Sequence, residues 1–235
     1  MQLKESIKLL TGIASYNLKI IFSGKFIYFL LAALLFFFVI TGIMLFQDEA
    51  ADVDDVYGML LFSGMLIIFY PVVFNIQNDK DTRMLEILFG VPDYRYKVYL
   101  LRFFMSLLLL VFLLFLLAAF AWFSVVQIPI FSMVVQLMSP LLFLACLTFM
   151  LTTLIRNANG AAVVVIIISL LFFMMSEPLA RSKWNLFLNP FNIPMNMNLS
   201  VWMNVVHQNR LILGIASVIS LLWALMNLQQ REKFV

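Results

Sequence analysis

Six long apolar runs constrain this chain more than any other feature of its sequence. Most of them reach the roughly 20 residues that a helix needs to cross a bilayer at about 1.5 Å per residue. The fifth is shorter, and we expect it to extend into its flanks. The pattern predicts an all-α polytopic membrane protein with six transmembrane helices. The runs cover residues 26–46, 56–76, 103–126, 132–155, 160–176 and 211–228.

The composition excludes the soluble classes of protein. Of the 235 residues, 64% are apolar and 11% are charged, against roughly 45–50% and about 25% in soluble domains. A soluble protein of this size leaves about a third of its unfolded surface in water, so it cannot hide so much apolar surface. The single cysteine, Cys146, excludes a disulfide-stapled fold. We therefore expect one transmembrane domain over residues 1–235.

Lysine and arginine are distributed unequally between the segments that join the runs. If the N-terminus lies inside, twelve of the fifteen basic residues fall in inner segments and three in outer ones. Cytoplasmic loops retain basic residues, so we expect both termini in the cytoplasm. The basic residues do not form a continuous stripe with interleaved aromatic residues, and we expect no nucleic-acid partner.

Residues 1–25 predict an amphipathic helix rather than a further span. Apolar side chains recur on one side of a 3.6-residue helix, while Lys4, Lys8 and Lys19 share the other side. Such a helix lies along the inner leaflet, with its lysines toward anionic lipid headgroups. The alternative is an ordinary helix that packs on a cytoplasmic partner.

The groups that would supply chemistry are missing from the apolar runs. None of the six contains Asp, Glu, Lys, Arg or His, which disfavours an ion-coupled carrier. A zinc protease needs paired histidines, whereas the chain has only His207, and it has no P-loop for nucleotide phosphates. We expect no enzyme activity, cofactor or metal in this chain alone. Five acidic residues lack EF-hand spacing and predict a solvated loop: Asp48, Glu49, Asp52, Asp54 and Asp55.

The segment 78–97, between the second and third runs, differs in kind from the other connections. Acidic residues precede a short apolar helix with Leu85 and Leu88 on one face, and Gly90 and Pro92 end it. A short rigid helix with an apolar face suits docking into the groove of a partner. A connector that lies on the lipid surface fits the same residues, and the two interpretations stay open.

The order of residues in this segment resembles that of a known family. The matching residues are Thr82, Leu85, Glu86, Leu88, Pro92 and Arg95, with a basic residue at Lys97 or Arg102. They resemble the segment after the second span in permease subunits of type-2 ATP-binding-cassette (ABC) exporters, where the order is acid, Gly-Thr, Leu-Glu, Leu-Leu, Pro, Arg, Lys. This chain departs from it in three residues, Asp81, Arg83 and Met84.

The rest of the chain resembles the same family in the order of its helices and in one short motif. Its members have an interfacial N-terminal helix, six spans and an Asn-Pro followed by an apolar residue between spans five and six. Here Asn189, Pro190 and Phe191 stand in that position. The resemblance implies that they help to close the outer side of a transport pathway. An interfacial cover without a gating role is the alternative.

The resemblance also implies partners and a direction of transport. Segment 78–97 would be a cytoplasmic coupling helix on separate ATPase subunits, with Arg83 and Glu86 as polar contacts. ATP and Mg would be bound by those subunits. The permease would pair with itself or with a related chain in a bacterial cytoplasmic membrane and act as an exporter. A pathway without charges favours an amphiphilic or lipid-like substrate.

The outer loop over residues 177–210 is unusually apolar. It is rich in Leu, Phe, Met and Trp and is interrupted by three prolines. This composition predicts two short re-entrant helices in the outer leaflet, with Trp184 and Trp202 as anchors at the headgroups.

Two other functions stay open. One is a non-transporting membrane anchor or regulatory subunit of a larger complex, and the other is an ion-coupled secondary carrier. Stimulation of a partner ATPase by substrate would argue against the first, and a need for ATP would argue against the second.

Overall fold

A computed structural model of the chain describes residues 22, 25–46, 52–74, 76–77, 94–194 and 197–229, with residues 94–97 described by their backbone alone. Across these ranges six helices are the main regular elements, and no strand is present. Five of them are long and apolar enough to cross a membrane, which confirms a multi-pass all-α membrane protein. The helices are α1 Phe26–Phe46, α2 Val53–Val73, α3 Tyr94–Ser124, α4 Ile130–Ile155, α5 Ala158–Met174 and α6 Leu199–Gln229.

Five of the six helices, all except α1, begin before the apolar runs that predicted them. The first turn of α2 is closed by Asp52, whose carboxylate accepts from the N–H of Val53 at 2.7 Å while the Asp55 carboxylate accepts from the N–H of Asp52 at 3.0 Å. Helices α3 and α6 begin at Tyr94 and Leu199, about nine and twelve residues earlier than their runs. Hydropathy marks the part of a helix that suits lipid, whereas the helix itself continues through polar residues.

Helices α4 and α5 are joined by only two residues. Arg156 has a φ of 58°, a left-handed conformation that ends α4. Asn157 then caps α5, because its side-chain oxygen accepts from the N–H groups of Asn159 at 3.0 Å and Gly160 at 3.3 Å. This short connection makes the two helices antiparallel neighbours.

Helix α4 is the centre of the bundle. It packs against α2, α3, α5 and α6, while α1 packs mainly on α2. Helix α2 is the most buried of the five long helices and α1 the least. Gly64 allows α2 to approach α4 closely, since a Cβ atom there would lie 2.6 Å from Cδ1 of Leu141.

The starts of α2, α4 and α6 and the end of α5 meet at one end of the bundle, which we call the polar end. Arg210 of α6 contacts Gln136 of α4 there. At the opposite end, the Asn227 side-chain amide donates to the Thr153 hydroxyl at 3.4 Å. Helix α5 has only 17 residues, yet it returns the chain from the far end of α4 to the polar end.

The structure differs from the two re-entrant helices predicted over 177–210. Residues 175–194 form turns and irregular backbone, and residues 199–210 are the first part of α6. The difference has a physical cause in Pro178, Pro190 and Pro194, because proline removes a backbone donor and interrupts helices. Side chains of other helices satisfy this irregular backbone instead.

Candidate functional site

Helix α6 holds the first half of the 177–194 segment. Asn209, which is 1% exposed, donates its amide hydrogens to the carbonyl oxygens of Lys183 at 2.9 Å and Asn185 at 2.8 Å. The Asn185 side chain donates to the Ser176 carbonyl at 3.1 Å and accepts from the N–H of Phe187 at 3.0 Å. The segment is therefore fixed to the bundle by buried hydrogen bonds as far as Phe187.

Arg210 joins this segment to three helices. Its Nε donates to the Gln136 side-chain oxygen at 2.9 Å and one terminal nitrogen to the Asn209 side-chain oxygen at 2.9 Å. The other terminal nitrogen donates to the Leu188 carbonyl at 3.1 Å and to the Tyr57 hydroxyl at 3.3 Å. All four acceptors are neutral. A guanidinium inside a membrane protein needs such acceptors, because burial without them costs several kcal/mol.

Asp54, in the first turn of α2, holds the second half of the segment. One carboxylate oxygen accepts from the Asn189 amide and the other from the Asn192 amide, the latter at 2.6 Å. The Asn189 side-chain oxygen accepts from the N–H of Phe191 at 3.0 Å, which closes a tight turn. We call residues 189–192 the asparagine turn. The Asn189 amide also donates to the Asp54 main-chain carbonyl at 3.2 Å. The side chain and the carbonyl of one residue, Asp54, thus connect the turn to α2.

The two tryptophans of the segment have different surroundings. Trp202 is 1% exposed, packs with Leu188 and Val206, and donates its indole N–H to the Pro190 carbonyl at 3.0 Å. The expectation that Trp202 is a headgroup anchor is corrected, because α6 begins early enough to turn this side chain into the protein. Trp184 is 62% exposed, and its role as an anchor stays a prediction.

An apolar cleft of about 600 Å³ adjoins this network. It lies between α1 and α2 on one side and α5 on the other, and extends along α2 from Asp54 to Phe69, about 22 Å at the rise of a helix. Its walls are almost entirely apolar. The polar groups of Asp54, Tyr57, Ser176 and Asn189 lie at one end. The apolar walls include Phe29, Leu61, Met65, Phe69, Val165 and Phe173.

The structure brings together one of the three predicted groups of site residues. Asn189, Pro190 and Phe191 all belong to the network at the polar end. The backbone of Arg95 lies in the first turn of α3, and its role stays a prediction. The other predicted coupling and anchoring residues lie outside the described part of the chain: Lys4, Lys8, Lys19, Thr82, Arg83, Leu85, Glu86, Leu88 and Pro92.

Several residues of the network were not predicted from the sequence. The sequence pattern predicts Asp54 only as part of an acidic loop, and it indicates no site role for Arg210, Tyr57, Gln136 or Asn209. Helical periodicity was the available signal, because the buried residues of α6 continue at spacings of three and four into the supposed loop. They are Trp202, Val206, Asn209, Leu213, Ser217, Ser220, Ala224 and Leu228.

The donor set of this site suits hydrogen bonding rather than metal binding. Among the residues that the structure describes, no group of three or more His, Cys, Asp and Glu side chains is placed to hold a metal ion. The arrangement can hold a polypeptide segment across the end of an apolar cleft. No protein-family model matches the chain, and neither does a curated protein nor a solved structure.

Proposed function

We propose that this chain is the membrane-spanning subunit of an ABC transporter, which forms a substrate pathway as a dimer and is driven by separate ATPase subunits. The observation that carries the proposal is the apolar cleft with one polar end, because a helix bundle packed only for stability would close such a space. The order of residues from Thr82 to Arg95 supports the same assignment by its resemblance to type-2 exporters.

In this proposal the protein has six spans, with α5 as the fifth. A helix of 17 residues is about 26 Å long, slightly less than the apolar thickness of a bilayer. Its course between the two ends of the bundle favours a full crossing, with adjoining residues or thinner lipid making up the difference. The excess of basic residues in the inner segments puts both termini in the cytoplasm and the polar end outside, in a bacterial inner membrane.

The driving force comes from the partner subunits in this proposal. ATP and Mg bind there, and the ATPases prefer one of two arrangements when nucleotide is bound. The coupling helix within 78–97 transmits that preference through the ends of α2 and α3, with Arg83 and Glu86 as polar contacts. The amphipathic helix predicted over 1–25 would help to hold the ATPase.

An amphiphilic or lipid-like substrate fits the proposed pathway. The cleft offers a long apolar wall and a short polar end, the same division that an amphiphile has between its chain and its headgroup. An outward direction of transport follows the resemblance to exporters. In the dimer, two such clefts would face one another and enclose the path.

Purification from the native membrane tests the assignment. We expect a P-loop ATPase to accompany the chain at equal stoichiometry, and the intact complex to contain two copies of each by native mass spectrometry. A matched sample with excess unrelated membrane protein controls for adventitious capture. Gradient-driven transport by the chain alone in vesicles would overturn the proposal and favour a secondary carrier.

A further inference from the structure

The 177–194 segment is attached to the bundle in two different ways. Up to Leu188 its backbone carbonyls are bound by Asn209 and Arg210, whose side chains are buried or half-buried between helices. The side chains of the asparagine turn are bound by Asp54, and Asn192 is exposed. The first attachment is therefore sheltered from water, whereas water can compete for the second.

The asparagine turn also forms part of the cleft. Asp54 and Asn189 both line its polar end, so the hydrogen bond between them is a piece of the wall. The Phe191 ring lies 6.0 Å from the ring of Tyr57, which lines the same end. A displacement of this turn away from α2 would open the cleft at that end.

Hydrogen bonds fix the backbone at the start of the asparagine turn, so the rest of the turn can move about that point. The Leu188 carbonyl is bound by Arg210 and Tyr57, and the Pro190 carbonyl is bound by the buried indole of Trp202. Beyond Pro190, the turn is held to α2 by the hydrogen bond from Asn192 to Asp54 and by the packing of Phe191 on Tyr57.

We infer that Asp54 is the latch of this cleft: its carboxylate holds Asn189 and Asn192 across the polar end, and loss of these two hydrogen bonds opens the cleft. Asp54 is a positioning residue, because it acts through the two asparagines. The inference deepens the proposed function, and its meaning for transport rests on that function. The latch itself requires neither an ATPase nor a particular orientation in the membrane.

Two features make Asp54 suited to the task. A carboxylate accepts from both amides at once through different oxygens, and hydrogen bonds to a charged acceptor are stronger than neutral ones. The residue also stands in the first turn of α2, where the helix favours a negative charge and holds its backbone in place. Replacement by asparagine leaves one neutral side-chain acceptor for the two amides, while the carbonyl of residue 54 still accepts from Asn189.

A cysteine at Leu61 can report whether the cleft is open. Leu61 lines the cleft two turns below Asp54 and is only 7% exposed, so a cysteine there is shielded while the cleft is closed. The native Cys146 is buried, and protein without the new cysteine measures its background reaction. A hydrophilic maleimide reacts with protein in lipid nanodiscs, where both membrane faces are accessible.

In the Leu61→Cys protein we expect Asp54→Asn to raise the labelling rate about tenfold, the effect of losing one charge-assisted hydrogen bond from a closed state. Asp55→Asn is the matched control. It removes the same charge one residue away and weakens the cap contact to Asp52, because a neutral amide oxygen replaces the carboxylate. If fraying of α2 were the cause of faster labelling, this variant would label faster as well. We expect no acceleration in that variant.

Rescue separates a latch from a general packing effect. In Asp54→Asn combined with Asn192→Asp, the carboxylate is on the turn and the amide on α2, and the labelling rate should return toward the reference. Equal rates in Asp54→Asn and the reference, equal acceleration by Asp55→Asn, or failure of the rescue would each overturn the latch. None of these results depends on an ATPase, so they leave the transporter assignment to its own test.

Discussion

At the scale of single residues, Arg210 shows why the side-chain type matters as much as the charge. Its guanidinium is a rigid planar fork whose donors point in several directions, and here they meet acceptors on α2, α4 and the 177–194 segment. A lysine ammonium is a single point on a flexible stem. It carries the same charge and cannot reach the same set of acceptors.

Arg210→Lys is therefore expected to lower the free energy of unfolding by about 1.5–3 kcal/mol, the range for losing a hydrogen bond to a charged group. Chemical unfolding in detergent, followed by tryptophan fluorescence, measures the change. Arg181→Lys is the control, because it makes the same replacement at an exposed position of the same segment. Equal destabilisation by both variants would contradict the structural role of Arg210.

At the scale of helices, the closeness of α2 and α4 depends on a glycine without a side chain. Gly64 faces Leu141 and Leu114, and a Cβ atom would lie 2.6 Å from the first and 3.4 Å from the second. Gly58, on the same helix, faces the cleft and has open space around it. The two glycines differ in packing while sharing the same backbone conformation.

This pair allows the packing contribution to be isolated. Gly64→Ala and Gly58→Ala gain the same helix propensity, so the difference between their unfolding free energies reports the crowding at Leu141. We expect Gly64→Ala to be less stable than Gly58→Ala by about 1–3 kcal/mol, as is typical of overpacked cores. Thermal unfolding in matched detergent gives the comparison, and identical stabilities would show that α2 and α4 tolerate a methyl group here.

The sequence predicted the helix boundaries best where the apolar run and the helix cover the same residues. Helix α1 matches its apolar run at both ends, and α4 begins two residues before its run and ends with it. The starts of α3 and α6 were displaced because polar residues continue a helix without raising its hydropathy. The hydrogen-bond network at the polar end could not be predicted from the sequence for a different reason. Asp54 and Asn189 are 135 residues apart, and no local pattern encodes a pairing over that distance.

At the scale of the whole molecule, the proposed function divides the protein between two ends. The polar end carries the network and the latch, while the opposite end leads toward segment 78–97 and the proposed ATPase. Helix α2 connects them, since its first turn contains Asp54 and its last turns precede that segment. A long, buried helix is a rigid connection between two such sites.

Replacement of Leu85 tests this connection. Leu85→Ala should leave membrane insertion intact and reduce transport relative to ATP hydrolysis, because it would remove an apolar contact of the proposed coupling helix with the ATPase. Reconstituted complex, assayed for both activities, gives the ratio. Leu108→Ala, at a lipid-exposed position of α3, makes the same truncation away from the proposed contact, and an unchanged ratio in Leu85→Ala would remove the coupling role.

Because only two residues, Arg156 and Asn157, join α4 to α5, the start of α5 cannot move far from the end of α4. We therefore expect α5 to keep its position relative to α4 and to form a fixed wall of the cleft. Helix α2 is held against α4 at Gly64, so we expect the cleft to widen through the asparagine turn at its polar end and through α1, the least buried of the long helices.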